Sequence, residues 1–142
     1  MYDTQGHSWR AGGDIRPSRI VKISTAADFT ALEADANEFG IGISQVGTED
    51  PPGLSGASTN AASAGKNVQV FGPGSICLLE LGSGGATRAG FLKSDADGKG
   101  VAIATTGTTA QNVVAVALES GAENEKVRVQ VLPMHKVYPA LS

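Results

Sequence analysis

The residues of this chain that could carry chemistry are few and scattered. The two histidines, His7 and His135, lie near opposite ends of the sequence, and Cys77 is the only cysteine. A metal site needs several such ligands at close spacing, and a nucleophile needs a partner base. Cys77 is interpreted as a small core residue, each histidine as a surface or contact residue, and the adjacent Glu49 and Asp50 as solvated turn charges. No catalytic residue, metal ligand or cofactor is predicted, and the chain is not expected to be an enzyme.

Two glycine-containing motifs resemble binding loops but lack residues that such loops require. Residues 95–98, DADG, start like a calcium loop, yet Lys99 and Thr106 stand where the fifth and twelfth positions require oxygen ligands. Residues 82–85, GSGG, lack the Lys-Ser/Thr pair of a phosphate-binding loop. The first motif is better explained as a tight turn in which Gly98 adopts a positive φ.

Composition limits the function classes further. The chain has 142 residues, enough for one domain, with 19 glycines and only 5% aromatic residues, so its core must use Val, Ile, Leu and Ala. The net charge is −3 without a basic stripe, which argues against nucleic acid and membrane surfaces as partners. No hydrophobic leader or membrane span is visible, and a single cysteine fits assembly in a reducing host cytoplasm.

Short β-rich runs alternate with glycine-rich turns along most of the chain. Residues 113–118 and 126–132 flank a polar turn and predict a hairpin in which Val127, Val129 and Val131 face the core. Further strands are predicted over residues 19–24, 39–46, 67–71, 75–81, 91–94 and 101–104. This spacing predicts an all-β fold, a small β-sandwich or an open barrel of about eight to ten short strands. Residues 26–36 fit either a helix or a strand, and their neighbours favour the strand.

Three segments flank or interrupt the predicted strands: residues 1–17, 48–66 and 134–142. Residues 1–17 are predicted to be an extended N-terminal arm, which is either a disordered tail or a segment that orders on a partner with Trp9 as an anchor. Residues 18–133 form the β domain, interrupted by a low-complexity surface loop over residues 48–66 whose mobility or docking matters more than its side-chain chemistry. Residues 134–142 are predicted to be a C-terminal tail.

Five stretches occur in an order typical of one protein family: RPSRIVKIS, GIGISQVG, AGKNVQVFGPG, GFLKSDADGKGVAI and VAVALESGAENEKVRVQVLP. A strand entering a DA-x-G turn, over residues 94–100, and the closing hairpin, over residues 117–131, carry the likeness. In these features the chain resembles the capsid cement, or head decoration, proteins of tailed bacteriophages. The resemblance covers residues 15–133, whereas residues 1–14 and 48–64 are less typical.

This resemblance implies a non-enzymatic protein on the outer capsid surface of a virion. Such a protein binds the exterior of an assembled head, bridges neighbouring copies of the major capsid protein, and forms a homo-oligomer, with a trimer favoured and a dimer possible. The contact residues expected on this basis are the arm anchors Tyr2, Trp9 and Arg10, the self-association residues Phe71, Ile76, Leu78 and Phe91, and the tail contacts Tyr138 and Leu141.

Two other function classes stay open. A tail or fibre module that binds host glycans is the main alternative, although one tryptophan and few other aromatic residues argue against exposed sugar platforms. A small β-sandwich hydrolase or metal-dependent enzyme is the third, and no nameable residue supports it.

Overall fold

The computed structural model describes residues 7–105 and 110–136. In this part of the chain, the regular secondary structure consists of β-strands joined by turns and loops. Ten strands are present, so the predicted all-β class is confirmed, and residues 26–36 contain a strand rather than a helix. The strands are β1 (His7–Ala11), β2 (Ile20–Ile23), β3 (Thr30–Glu33), β4 (Gly42–Ser44), β5 (Asn67–Phe71), β6 (Ile76–Glu80), β7 (Phe91–Ser94), β8 (Gly100–Ala102), β9 (Gln111–Ala117) and β10 (Lys126–Lys136). No helix of this described part is long and apolar enough to cross a membrane.

The first five strands form a closed barrel in the order β1-β3-β2-β4-β5. Strand β1 completes the closure, because Arg10 pairs with Thr30 of β3 on one side and with Asn67 of β5 on the other. The prediction of an arm over residues 1–17 is therefore wrong for residues 7–17. Ile15 is fully buried and bridges Ala62, which ties the segment after β1 into the barrel as well. Residues 1–6 lie outside the described part.

The last five strands form a second sheet in the order β6-β10-β9-β7-β8. The predicted hairpin is confirmed as β9 and β10, and Val127, Val129 and Val131 are buried as expected. The segment just after β6 meets edge strand β8, where the Gly82 N–H donates to the Gly100 carbonyl at 2.8 Å. The predicted tight turn is also confirmed between β7 and β8, where Gly98 has a φ of 75°.

Strand β10 is longer than the sequence suggests. It extends to Lys136, so the tail predicted from residue 134 begins no earlier than residue 137. The register of β10 on β9 shifts between Val131 and Met134, at the position of Pro133. Proline has no N–H for the ladder, and a bulge accommodates this defect. Residues 137–142 fall outside the described part.

Each half has its own apolar cluster. The barrel cluster comprises Ala11, Ile15, Val21, Ala31, Ala61, Ala62, Val68 and Val70. The second cluster is built mainly from the sheet, including Leu79, Leu81 and Leu92, and takes in Ile20 and Ile43 from the barrel. Because Ala61 and Ala62 are buried, the end of the predicted surface loop 48–66 belongs to the barrel core.

A polar junction connects the two halves, and we call it the interlayer clasp: Arg16, Arg19, Glu33, Glu80 and Asp97. Arg19 is 7% exposed, its Nη2 lies 3.0 Å from Glu80 Oε2, and its Nη1 donates to the Asp97 carbonyl at 2.9 Å. Arg16 pairs with Glu33 and also donates to the Asp97 carbonyl. The turn after β7 and the end of β6 are thereby fixed to the barrel.

Candidate functional site

The most distinctive surface of the molecule is an apolar depression on the barrel, which we call the aromatic groove. Its volume is about 540 Å³. The lining residues are Ser8, Trp9, Phe29, Phe39, Ile41, Val70, Gly72, Pro73 and Pro133. They come from β1, the β2–β3 turn, the segment before β4, β5 with its following turn, and the bulge of β10. None of these lining residues is charged, so the groove suits an apolar occupant.

Phe29 is the most unusual residue of the groove. Its side chain is 80% exposed, and its backbone is in the left-handed region with a φ of 48°. A bulky residue in this region is a true outlier, and such strain tends to be stored at functional sites. The ring lies 6.3 Å from that of Trp9 at an interplanar angle of 52°. The protein therefore exposes a large apolar side chain to solvent and holds its backbone in a conformation that is unfavourable for phenylalanine.

Phe39 provides the opposite aromatic wall and is 56% exposed. Gly40 follows it, and a Cβ at this position would lie 2.6 Å from Ile20 Cγ2 and 3.0 Å from Val114 Cγ2. The backbone here is thus pressed against both halves of the molecule, which fixes the direction in which Phe39 leaves the chain. Phe29 and Phe39 were missed by sequence reasoning, which treated both only as strand or helix residues.

A second apolar surface lies on the outside of the five-stranded sheet. Cross-strand partners run in one row from Ile76 through Gln130 and Val116 to Phe91. Leu78 faces Arg128 in the next row, and the backbone carbonyl of Arg128 accepts from the Leu118 N–H at 3.0 Å. Paired residues of antiparallel strands share one face. We call this mixed apolar and polar surface the outer sheet face.

The structure groups some predicted contact residues and separates others. Trp9 lies in the groove, but on barrel strand β1 rather than on an arm. Arg10 follows it and lines a separate shallow depression with Asp28. Ile76, Leu78 and Phe91 share the outer sheet face. Phe71 does not join them, because it ends β5 at the junction and packs on the sheet core. Tyr2, Tyr138 and Leu141 lie outside the described residues.

Ionisable groups in the described part serve mainly to hold the fold. Burial raises the pKa of the Cys77 thiol to about 12, so this thiol stays protonated and unreactive near neutral pH. Glu49 is not the solvated turn charge that was predicted. Ser63 donates to it from both its hydroxyl and its N–H, and hydrogen bonds from Ser63 and Ser58 lower the pKa of the carboxyl to about 2. Within residues 7–105 and 110–136, no three His, Cys, Asp or Glu side chains converge on a common metal position.

Comparison with known proteins gives a fold match. No protein-family profile matches the chain, and no curated protein matches it. Among solved structures, the chain is similar to the head fiber gp8.5 N base of bacteriophage phi29, with a TM-score of 0.60 and 17% sequence identity. The match covers 89% of this chain and 92% of that chain. The arrangement of barrel and sheet is therefore that of a known fold.

Proposed function

We propose that this chain is a structural protein of a tailed-bacteriophage virion that binds the outside of the assembled head as a capsid cement protein. The observation that carries the proposal is the fold similarity to a phage head fiber base over nearly the whole of both chains. The sequence resemblance to head decoration proteins supports the same location by a separate argument. Residues 94–100 and 117–131, which carry that resemblance, form the β7–β8 turn and the β9–β10 hairpin of the shared fold.

The proposed role is adhesion without catalysis. The clasp carboxylates Glu33 and Glu80 are paired with arginines, Glu49 anchors a loop, and Cys77 is buried. These groups are occupied in stabilising the fold. In contrast, the aromatic groove brings together two of the exposed large apolar side chains, Phe29 and Phe39, and we propose it as the principal adhesive surface. A cement protein of this kind acts through many weak contacts that the symmetry of the head multiplies.

A second candidate is the base of a head fibre, and the identity of the structural neighbour favours it. It shares attachment to the head with the cement role and differs in carrying a further fibre. Glycan binding by a tail or fibre component is less favoured. Sugar hydroxyls need hydrogen-bonding partners, and among the described lining residues only Ser8 and the Trp9 indole N–H offer side-chain groups of this kind.

The test is binding to phage heads that were assembled without this protein. We expect the purified chain to sediment with such heads and to saturate at a fixed number of copies per head, quantified by gel densitometry. Absence of saturable binding would contradict the proposal. A head-bound chain that also recruits a separate fibre protein would identify the fibre-base role.

Paired variants test the assigned surface. Phe39→Ser removes an exposed aromatic wall of the groove, and Leu54→Ser removes a similarly exposed apolar residue from the 48–66 loop, where Leu54 is 62% exposed. We expect Phe39→Ser to weaken head binding by about tenfold or more, the effect of losing an interface anchor. Leu54→Ser should bind as the unmodified chain does. Equal loss in both variants would exclude the groove as the adhesive surface.

A further inference from the structure

We propose that the edge of strand β6 pairs with the same edge of a second copy, so that the two five-stranded sheets join into one. The two β6 strands run antiparallel, with Cys77 of each copy at the twofold axis. This contact goes beyond the proposed attachment to the head, because it joins copies of the chain to each other and none of the groove residues lies in β6.

Strand β6 lies at one side of the sheet and pairs only with β10. The Val131 N–H donates to the Ser75 carbonyl at 2.9 Å, and the Leu81 N–H donates to the Glu125 carbonyl at 2.8 Å. In an antiparallel ladder, alternate residues bond to the same neighbour. The odd-numbered residues of β6 therefore face β10, and the even-numbered residues direct their backbone N–H and C=O groups away from the sheet.

These outward groups are bonded at one end of β6 and unpaired at the other. The Glu80 N–H donates to the Ser18 carbonyl at 3.0 Å. Among residues 7–105 and 110–136, no group bonds to the outward N–H and C=O of Ile76 and Leu78, and Ile76 is 61% exposed. We call these two residues the free edge. Unpaired backbone groups at a sheet edge are a template for a further strand.

The free edge is complementary to itself in one register. Antiparallel pairing centred on Cys77 places Ile76 opposite the partner's Leu78, and Leu78 opposite the partner's Ile76. Each copy then donates both of its free N–H groups and accepts at both of its free carbonyls. The same patch serves both copies, as a closed twofold contact requires. The result is a dimer, the less favoured of the two oligomers expected from the sequence.

The neighbouring registers do not satisfy the free edge. Centring the pair on Ile76 would place Leu78 opposite Gly74, whose N–H already donates to the Val131 carbonyl at 2.8 Å. Centring it on Leu78 would place Ile76 opposite Glu80, whose N–H is bound to Ser18. Either shift leaves free groups facing groups that are already bonded, which costs free energy when they are buried.

The side chains agree with the register centred on Cys77. Ile76 and Leu78 belong to the outer sheet face, so the pairing brings the apolar side chains of both copies together across the axis, where such pairs are stabilising. Glu80 comes to lie opposite the partner's Gly74, and a Cβ built at Gly74 would meet nothing within 4 Å. The carboxylate therefore meets neither a side chain nor a like charge.

The two edges of the sheet differ in their protection. Sheet edges are commonly blocked by proline, lysine or a bulge. Strand β6, ICLLE, has none of these, and its one charged side chain is bound to Arg19 in the interlayer clasp. Edge strand β8 has three residues, and its Gly100 carbonyl already accepts from the Gly82 N–H. The sheet is thus covered at β8 and open at β6.

Disulfide trapping tests the register. Ile76→Cys and Leu78→Cys are made separately in a Cys77→Ala background, and one of the two is isotope-labelled so that mass spectrometry distinguishes the products. Directly opposed residues of a hydrogen-bonded pair have Cα atoms about 5.5 Å apart, which a disulfide can span, whereas diagonal neighbours lie about 7–8 Å apart. We expect air oxidation of the mixture to form the heterodimer at least tenfold faster than either variant forms a homodimer.

The matched control for trapping is Leu118→Cys in the same background. Leu118 is 45% exposed and lies in the same row of the outer sheet face, two strands away from the free edge. Mixed with Ile76→Cys, it should give no preferential heterodimer. An equal rate for the Leu118→Cys mixture would mean that the trapping records random collisions and would overturn the proposed pairing.

Analytical ultracentrifugation tests the association itself. The contact is short, so we expect a weak monomer–dimer equilibrium at high protein concentration. Leu78→Pro removes an outward N–H but none of the bonds to β10, and Ile76→Lys places a charge opposite the partner's Leu78. Each should weaken dimerisation at least tenfold, and Ile76→Lys keeps the test valid if Leu78→Pro folds poorly. Leu118→Lys, the same change on the same face, should leave dimerisation unchanged.

Three results would overturn the inference: no preferential heterodimer in the trapping, a dimer that both edge variants leave intact, or an unmodified chain that is monomeric or trimeric at its highest soluble concentration. In a monomeric chain, weaker binding of Ile76→Lys to heads would assign the free edge to a strand of the capsid protein instead. Phe39→Ser should not change dimerisation. Dimerisation and head binding are therefore judged by separate variants and separate measurements.

Discussion

The two halves of the molecule use five strands each but bury different side chains. Half of the barrel cluster is alanine, whereas the sheet cluster contains Leu79, Leu81, Leu92 and several valines. A closed five-stranded barrel satisfies its strand edges through backbone pairing and leaves little interior space, so small side chains fill it. Three of its aromatic residues, Trp9, Phe29 and Phe39, instead line the groove. The comparison indicates that the sheet provides most of the hydrophobic stability, whereas the barrel carries the surface that we propose as adhesive.

The largest effect is expected from truncating the sheet core. Leu79 is fully buried, and a Cβ at Gly100 would lie 2.5 Å from its Cδ2, so the core is tightly packed around Leu79. Leu79→Ala should lower the free energy of unfolding by about 2–5 kcal/mol, measured by urea denaturation. Val68→Ala in the barrel core should cost less, because fewer buried atoms are lost. A greater loss for Val68→Ala than for Leu79→Ala would reverse the assignment of stability to the sheet.

The next effect tests how firmly the halves are joined. Glu80→Gln leaves the buried Arg19 guanidinium without its carboxylate, at a site where the two side chains are 8% and 19% exposed. We expect a loss of about 2 kcal/mol, below the value for fully buried pairs because Glu80 still contacts solvent and glutamine can still accept a hydrogen bond. The control is Glu119→Gln in the solvent-exposed pair with Arg128, which should leave the denaturation midpoint unchanged. Equal shifts in both variants would show that the clasp does not couple the halves.

A smaller, pH-dependent effect is expected around Glu49 on the barrel side. The pKa of Glu49 is lowered to about 2 by hydrogen bonds from Ser63 and Ser58, and its ordinary value is 4.5. Because the folded-state value is the lower one, the stabilisation is fully present above about pH 4.5 and is lost as the pH falls towards 2. The protection factor of the Ser63 N–H, which is the exchange rate corrected for the intrinsic effect of pH, should therefore fall over this range. The Val131 N–H in β10, which donates to the Ser75 carbonyl, should keep its protection. Glu49→Gln should abolish the pH dependence at Ser63, and its persistence would point to another group.

The smallest effect on stability is expected at the groove itself. Phe29→Asn replaces a strained phenylalanine with a residue that tolerates a positive φ, a gain of about 1 kcal/mol, and removes the ring contact with Trp9, a loss of similar size. The melting temperature should therefore change by only a few degrees, while binding to phage heads weakens. A large destabilisation would mean that Phe29 supports the fold rather than a partner.

Local patterns predicted a good part of the fold. The strands over residues 67–71 and 91–94 have the predicted bounds, and the β9–β10 hairpin and the turn at Gly98 are where alternation and turn chemistry placed them. These features depend on near neighbours in the chain. Strand β1 was missed because its five residues, HSWRA, show no clear alternation, and it is a strand only because β3 and β5 flank it.

The candidate site could be predicted only in part. Trp9 was singled out from its residue type, but its neighbours in the groove were not, because Phe29, Phe39 and Pro133 come from segments far apart in the sequence. Ile76, Leu78 and Phe91 were grouped by residue type and do share the outer sheet face, whereas Phe71 was assigned to the wrong environment.

The order of residue types therefore determined the strand content, the turns and the shortage of reactive groups, since each depends on a few adjacent side chains and their backbone preferences. The closure of the barrel, the attachment of the sheet through Arg19 and Glu80, and the meeting of three aromatic rings in one groove were decided by the tertiary structure. Each of these depends on pairings between distant residues, whose free energy is gained only when the whole chain is folded.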